Sequence, residues 1–137
     1  MAMALCEGKG GARVRAERQH RGRAAMLAGK AAEETVERAY RRGGATLRAR
    51  RWRGESGEID LVMQGGDGLY FVEVKAAANF ERAAASLMPS QMRRIVLAAQ
   101  EYVGGEPDGA LTPMRFDLAM VNGRGEMQVL ENAFGEF

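Results

Sequence analysis

The sequence predicts an α/β domain, in which helices pack against a β-sheet. Two patterns carry this prediction: five short segments have the composition and bounds of strands, and two longer segments repeat apolar residues at helical spacing. The size of the chain agrees, because 137 residues, 46% hydrophobic and 28% charged, match the composition of a single globular domain.

The first half of the domain is predicted as one helix followed by three strands. Apolar residues recur at helical spacing from about residue 24, and Gly43 and Gly44 end this helix, since glycine tolerates the left-handed backbone of a helix C-cap. Short segments bounded by glycine or polar residues then predict strands at Thr46–Arg53, Gly57–Gln64 and Leu69–Lys75.

The second half is predicted as one helix followed by two strands. Pro89 suits the first turn of a helix, an apolar stripe at helical spacing follows it, and Gly104 stops it. Two further strands, with a short turn between them, are expected at Met114–Val121 and Glu126–Leu130.

The composition excludes several classes of protein and predicts a cytoplasmic location. No segment is long and apolar enough for a membrane span or an export signal. One cysteine and one histidine exclude a disulfide framework and a Cys/His zinc cluster, so any metal is expected to be held by oxygen. Residues 1–24 contain six basic and two acidic residues and are predicted to form a basic, flexible arm, either a solvated leader or a phosphate-binding segment, ahead of a single domain at residues 25–137.

Seven arginines lie between residues 38 and 53, with no acidic residue among them. At that density their mutual repulsion is costly unless a polyanion or nearby carboxylates neutralise it. Trp52, in their midst, is interpreted as a cover for the edge of the core and not as a base-stacking platform. The candidate contacts for nucleic-acid phosphates in this group are Arg48, Arg50, Arg51 and Arg53.

The second and third predicted strands form a hairpin, because a four-residue, glycine-rich loop at residues 65–68 joins them. Side chains alternate between the two faces of a strand. On the second strand this alternation places on one face Ile59, Leu61 and Met63. On the third strand it places on one face Phe71, Glu73 and Lys75.

The register of this hairpin brings two acidic side chains together. If the residues that flank the loop pair with each other, Asp60 lies opposite Glu73, and Glu58 lies opposite Lys75. Opposed side chains have Cβ atoms about 4.5–5.5 Å apart, so two carboxylates there resist joint ionisation unless a cation lies between them.

This pair predicts a site for a hard divalent cation. Mg²⁺ prefers carboxylate, carbonyl and water oxygens, which Asp60, Glu73 and the carbonyl of Val74 could supply. Lys75, on the same face as Glu73, could orient water or meet charge that develops on a phosphate, so the chemistry implied is metal-assisted hydrolysis of a phosphodiester. The alternative is an ordinary apolar–polar alternation, with Glu58 and Lys75 as a cross-strand ion pair.

The same segments resemble a known family. Residues 57–62 (GEIDLV) and 71–75 (FVEVK) resemble the YraN-like family of the restriction-endonuclease-like PD-(D/E)xK superfamily, and the resemblance runs from about Gly29 to Phe134. It implies an α/β core with a central mixed β-sheet flanked by helices.

The resemblance also implies roles for individual residues. Asp60 and Glu73 match the metal-binding acids of the family, Lys75 matches its lysine, and Glu33 is similar to a further carboxylate on the first helix. These four residues are therefore the expected catalytic group, and Mg²⁺ or Mn²⁺ is the expected cofactor. Glu58 belongs to the same motif and is a candidate for positioning Lys75.

Two positions depart from the family pattern. Ala77 stands where an arginine often follows the motif lysine, and Gln91 stands where the second helix commonly carries a basic residue. Both changes remove positive charge near the path of the phosphates. Gln91 is a candidate nucleic-acid contact through hydrogen bonding, or a simple polar residue in the first turn of a helix.

Two functions from different classes follow. The first is a metal-dependent nuclease that hydrolyses phosphodiester bonds in nucleic acid, with DNA favoured over RNA and a second copy of the chain as a candidate partner for engaging two strands. The second is a catalytically inactive nuclease-like module that binds nucleic acid or a protein. Loss of Mn²⁺-dependent cleavage on replacing Asp60 or Lys75, with binding retained, separates the first from the second.

Overall fold

The computed structural model describes residues 28–135, so the predicted arm at residues 1–24 lies outside the described residues. These residues form a sheet in which the strands lie in the order of the sequence. Strands β3 and β4 are parallel, and the other neighbouring pairs are antiparallel, so the sheet is mixed, as expected. The strands are β1 (Thr46–Arg53), β2 (Glu58–Gly65), β3 (Gly68–Ala76), β4 (Met114–Val121) and β5 (Met127–Leu130).

Helices flank the sheet. Residues 28–42 form α1, and α2 (Phe80–Ala85) and α3 (Pro89–Val103) come between β3 and β4 in the chain. A parallel pair of strands needs a crossover connection, which α2 and α3 provide together with a 3₁₀ helix at Gly109–Leu111.

Helix α1 ends at two glycines. The N–H of Gly43 donates to the carbonyl of Ala39 at 3.1 Å, and the N–H of Ala45 donates to the carbonyl of Tyr40 at 3.0 Å. Gly44 has a φ of +98°, a conformation that closes a helix readily only when the residue is glycine. The predicted end of this helix is confirmed.

The sheet separates two apolar clusters. The cluster that includes α1 consists of Ala32, Val36, Leu61, Met63, Val72, Ala119 and Val121. The larger cluster includes α2 and α3, and its most deeply buried members are Ile59, Val62, Phe71, Ala83, Ala98 and Ala99. Trp52 packs at the edge of this larger cluster, edge-on to Tyr102 with ring centroids 5.3 Å apart, which confirms its interpretation as an edge cover.

The predicted strands agree with the observed ones to within one residue, and the helix that begins at Pro89 is confirmed. The predictions missed α2 and the 3₁₀ helix, since six and three residues are too few to show a repeating apolar period. The four-residue loop is wrong as well: Gly65 pairs with Gly68, which leaves a two-residue turn. The observed hairpin nevertheless has the predicted register, because Gln64 pairs with Leu69.

Candidate active site

Strands β2 and β3 separate at Asp60, whose side chain bridges the gap. The observed pairing runs from the turn to Leu61 and Val72, in the predicted register. Beyond this point Oδ2 of Asp60 accepts a hydrogen bond from the N–H of Val74 at 2.8 Å. Asp60 therefore reaches β3 through its carboxylate, at a point we call the fork.

The backbone is irregular on β1 and β2 beside the fork. Leu61 and Met63 pack in the cluster that includes α1, whereas Ile59 packs with Val62 in the cluster of α2 and α3. The prediction that Ile59 shares a face with Leu61 and Met63 is therefore wrong. On β1, Arg51 lies between Arg50, which pairs with Leu61, and Trp52, which pairs with Ile59. Arg51 has a φ of +49°, and strand alternation commonly breaks at such irregularities.

Asp60 and Glu73 interact across the fork. Burial and then the negative charge of Glu73 raise the pKa of Asp60 to about 7, while the N–H of Val74 and the charge of Lys75 oppose the shift. Glu73 is only 4% exposed. Two carboxylates in such a place cannot both be ionised without a cost, unless a cation joins them. This is the convergence that the hairpin register predicted.

One oxygen of Glu73 has two donors beside it. Nε2 of Gln91, on α3, donates to Oε2 of Glu73 at 2.7 Å. Nζ of Lys75 lies 3.0 Å from the same oxygen, so Glu73 and Lys75 share a face of β3, as predicted. The carboxyl groups of Asp60 and Glu73 are also hydrogen-bonded to each other, and no other group in residues 28–135 donates to Oε1 of Glu73 or Oδ1 of Asp60.

Glu33 approaches the fork from α1 but is bonded to an arginine. Its Oε1 accepts a hydrogen bond from Nε of Arg51 at 3.1 Å. Burial raises the pKa of Glu33, the bond to Arg51 opposes this, and the charge of Asp60 adds to it. Glu33 is thus within electrostatic range of Asp60 while its carboxylate serves Arg51.

Glu58 does not contact Lys75 as predicted. Its Oε2 accepts a hydrogen bond from Nη2 of Arg53 at 3.0 Å, across the β1–β2 pairing that places these two residues opposite each other. Lys75 turns to Glu73 on its own strand instead. The expected Glu58–Lys75 contact is wrong because β2 and β3 have already separated at Asp60.

The structure unites two of the three predicted metal ligands. Asp60 and Glu73 meet at the fork with Lys75 beside them, whereas Glu33 is held by Arg51. Within residues 28–135, no three His, Cys, Asp or Glu side chains gather as a group able to hold a metal ion. The pair still suits a hard cation, because its donors are acidic oxygens.

The predicted nucleic-acid contacts prove to have partners inside the protein. The side-chain amide of Gln91 donates to Glu73. Its position in the first turn of a helix did not indicate this contact in the sequence. Each of the four candidate arginines reaches a carboxylate: Arg48 with Glu106, Arg50 with Glu37, Arg51 with Glu33 and Arg53 with Glu58. Carboxylates therefore offset the charge of these four arginines.

These arginine side chains nevertheless remain open to solvent. The side chains of Arg50, Arg51 and Arg53 are 61%, 54% and 78% exposed. Arg50 and Arg51 line an open groove of about 560 Å³ beside α1. The groove is lined by Lys30, Glu33, Glu34, Glu37, Arg38, Arg50, Arg51 and Leu61.

A second buried carboxylate, Asp117 on β4, has a full set of partners. It accepts two hydrogen bonds at 2.8 Å from Arg115, one at 2.6 Å from the hydroxyl of Tyr40 and one at 3.0 Å from the N–H of Asn132. Arg115 and Asp117 thus form an ion pair within β4. Asp117 contrasts with Asp60, since its charge is matched within the protein.

None of the helices in residues 28–135 combines the length and apolar character that crossing a bilayer requires. Fold and site define an α/β domain with a mixed sheet and an acidic pair at the fork of its central hairpin. The chain belongs to the uncharacterised protein family UPF0102, whose model matches residues 32–121, and the YraN-like resemblance is confirmed at this level. The matched stretch contains Glu33, Asp60, Glu73 and Lys75.

Two relatives illustrate the similarity. A UPF0102 protein of Ruegeria pomeroyi is 55% identical over 115 residues, which cover 84% of this chain and 94% of the relative. A UPF0102 protein of Roseobacter denitrificans is 50% identical over 119 residues, which cover 87% of this chain and 92% of the relative. The likeness therefore extends over nearly the whole length of both relatives.

Proposed function

We propose that this chain is a metal-dependent nuclease of the restriction-endonuclease-like PD-(D/E)xK superfamily, which hydrolyses phosphodiester bonds in nucleic acid, with DNA preferred to RNA. The observation that carries the proposal is the meeting of Asp60 and Glu73 at the fork, where the pKa of Asp60 rises to about 7. A buried acidic pair of this kind lowers the stability of a fold, and such perturbed groups concentrate at functional sites.

The cofactor in this proposal is Mg²⁺ or Mn²⁺, held by Asp60 and Glu73. The fit rests on the hard oxygen donors and on the closeness of the two carboxyl groups, which are hydrogen-bonded to each other without the ion. Glu33 becomes a third ligand if Arg51 releases it. Such an ion lowers the pKa of a bound water and neutralises charge on a phosphate.

Lys75 is the cationic member of the proposed site. Its Nζ lies 3.0 Å from Oε2 of Glu73, and its side chain is 20% exposed. An ammonium group on a flexible stem can turn from Glu73 to an attacking water or a phosphate oxygen. We therefore propose that Lys75 orients the attacking water or stabilises the negative charge that develops on the phosphate in the transition state.

Arg48, Arg50, Arg51 and Arg53 are the proposed phosphate contacts. The side chains of Arg50, Arg51 and Arg53 are more than half exposed, and exposed ion pairs contribute about 0–1 kcal/mol, so a polyanion can compete for these three arginines. No base-reading motif accompanies them, so binding is expected to follow the shape and charge of the backbone and to weaken with salt. Gln91 is not among the proposed phosphate contacts, because its amide donates a hydrogen bond to Glu73.

A second candidate function is a nuclease-like module that binds nucleic acid without cutting it. The observation in its favour is Glu33, whose carboxylate is occupied by Arg51, so that two acids and not three meet at the fork. Ala77 adds to it, since this position has no side chain that could hold a phosphate.

Calorimetric titration with Mn²⁺ tests the proposal. We expect one binding event in the wild-type protein and none in Glu73→Ala, while Glu81→Ala, an exposed acid on α2, serves as the matched control and binds as the wild type does. Absence of binding in the wild-type protein would contradict the metal site.

A cleavage assay with branched, single-stranded and duplex DNA, and with RNA, tests the reaction. Lys75→Ala is expected to bind DNA and Mn²⁺ but not to cleave. If the wild-type protein binds DNA and Mn²⁺ and cuts none of these substrates, the module is favoured over the nuclease. Sedimentation of the protein with duplex DNA tells whether two copies act together.

A further inference from the structure

Gln91 and Lys75 are the nitrogen donors that contact the buried carboxylate of Glu73 among residues 28–135. Its Nε2 donates to Oε2 of Glu73 at 2.7 Å, and Glu73 is 4% exposed. A buried carboxylate has few ways to satisfy its lone pairs, and each donor that reaches it restricts its orientation. The amide of Gln91 therefore has a direct effect on where the oxygens of Glu73 lie.

The second donor, Lys75, differs from Gln91 in charge and in mobility. Both lie at Oε2 of Glu73, and neither donates to Oε1. An amide donor adds no positive charge that would repel a divalent cation, whereas the ammonium group does. A site that must bind a cation is thus better served when the neutral group fixes the carboxylate.

Helix α3 presents Gln91 from its first turn. Pro89 opens the helix, and the N–H of Gln91 donates to the carbonyl of Met88 at 2.9 Å. Further along, a Cβ at Gly57 would lie 3.3 Å from Cβ of Arg94, which shows how closely α3 approaches the start of β2. A side chain presented from a packed helix is held more precisely than one presented from a loop.

We propose that Gln91 is a positioning residue for the metal site. It holds Oε2 of Glu73, keeps Oε1 available to the ion, and maintains this orientation when Lys75 leaves Glu73 for water or phosphate. The inference rests on the proposed function, and it replaces a role of Gln91 in contacting nucleic acid. Groups that orient metal ligands commonly affect metal affinity about 10- to 100-fold when they are removed.

The test is Mn²⁺ affinity in Gln91→Met, which keeps the size of the side chain and removes its donor. We expect the affinity to fall about tenfold, while DNA affinity measured in EDTA stays unchanged. The matched control is Gln100→Met, on the exposed face of the same helix, which should leave both affinities as they are. Circular dichroism confirms that each variant is folded at the titration temperature.

Every other outcome contradicts this role. Unchanged Mn²⁺ affinity with weaker DNA binding would make Gln91 a nucleic-acid contact, and unchanged values for both would make it a structural residue. If the wild-type protein binds no Mn²⁺, the proposed function fails along with the inference; if the wild type and Gln91→Met bind equally, only the inference fails.

A measurement on the wild-type protein covers the case in which Gln91→Met does not fold. The side-chain amide resonances of Gln91 are followed by NMR during titration with Mg²⁺, which is diamagnetic. We expect them to shift with the ion while those of Gln100 stay in place. An amide of Gln91 that does not respond to bound Mg²⁺ would overturn the proposal.

Discussion

Asp60 lowers the stability of the metal-free protein at neutral pH. Its pKa is raised to about 7 by burial and by Glu73, against an ordinary value near 3.9. Because this pKa is raised in the folded state, the protonated carboxyl group of Asp60 makes its full contribution to stability below pH ~4. That contribution is lost as the pH rises through about 7. The charge that makes Asp60 a metal ligand thus works against the fold.

Asp60→Asn should therefore stabilise the metal-free protein in a pH-dependent way. Asparagine keeps an oxygen to accept from Val74 and lacks the charge, so at pH 8 in EDTA the free energy of unfolding is expected to rise by about 1–3 kcal/mol, each pKa unit corresponding to ~1.4 kcal/mol. At pH 4 the variant and the wild type should nearly coincide. Urea titrations at both pH values measure this difference.

The control for this variant is Glu81→Gln, which neutralises an exposed acid and should have little effect at either pH. Mn²⁺ binding should be lost in Asp60→Asn and kept in Glu81→Gln. If Asp60→Asn is less stable than the wild type at pH 8, the ionised carboxylate contributes to the fold, and the view of Asp60 as an unsatisfied charge is wrong.

Arg51 is an arginine in a backbone conformation that favours glycine. Its φ of +49° costs an L-residue about 1–2 kcal/mol. Arg51→Gly is therefore expected to be more stable than Arg51→Ala by about 1 kcal/mol, because both variants lose the ion pair with Glu33 and only alanine retains the strain. Thermal unfolding of the two variants measures the order.

The matched position for this comparison is Arg53, two residues further on the same strand and also paired with a glutamate. Arg53 has no positive φ. Arg53→Ala should therefore be more stable than Arg53→Gly by about 0.5–1 kcal/mol, since glycine weakens a strand relative to alanine. The same order at both positions would mean that the conformation of Arg51 carries no strain.

Among the elements, the strands were predictable because their signals are local. Glycines and polar residues bound β1, β2 and β3 in the sequence, and the alternation on β3 correctly placed Glu73 with Lys75. The hairpin register follows from the position of the turn, which is why the meeting of Asp60 and Glu73 could be expected from the sequence. The kink that moves Ile59 to the other cluster has no such local signal.

The connection between β2 and β3 depends more on Gly68 than on Gly66. Gly68 has a φ of +143°, and a Cβ there would lie 2.6 Å from the carbonyl oxygen of Pro113. Gly68→Ala should therefore lower the free energy of unfolding by about 2–4 kcal/mol through strain and a backbone clash. Gly66, where a Cβ meets nothing within 4 Å, is the control.

Gly66→Ala should stay within about 0.5 kcal/mol of the wild type, as surface substitutions usually do. Urea unfolding of both variants is sufficient for the comparison. Equal losses at the two positions would show that flexibility of the whole turn matters and not the approach of Pro113 to Gly68.

At the scale of the whole molecule, the contacts that complete the site join distant segments. Gln91 reaches Glu73 from α3, and Arg51 on β1 reaches Glu33 on α1. Each depends on how a helix docks on the sheet, which is fixed by packing throughout the core and leaves no pattern near the residues concerned. The sequence could therefore indicate which residues form the acidic pair, but not which side chains hold them.

Two aspartates of the sheet have different roles, half-buried Asp60 in the proposed chemistry and fully buried Asp117 in stability. Asp60 has one backbone donor and an acidic neighbour, whereas Asp117 has Arg115, Tyr40 and Asn132 around it. Burial and the hydrogen bond to Asp117 raise the pKa of Tyr40, so this hydroxyl stays a donor at all ordinary pH values. The Asp117 network joins α1, β4 and the segment after β5.

Asp117→Asn should consequently have the opposite effect to Asp60→Asn. Removing one charge of a buried ion pair typically costs about 3–5 kcal/mol, because the remaining charge is left without its partner. We expect a loss in this range by urea unfolding in EDTA at pH 8, while Mn²⁺ affinity at a temperature where the variant is folded stays that of the wild type. Equal and small effects at both aspartates would show that the fold does not distinguish a matched carboxylate from an unmatched one, and the assignment of Asp60 to metal binding would lose its physical basis.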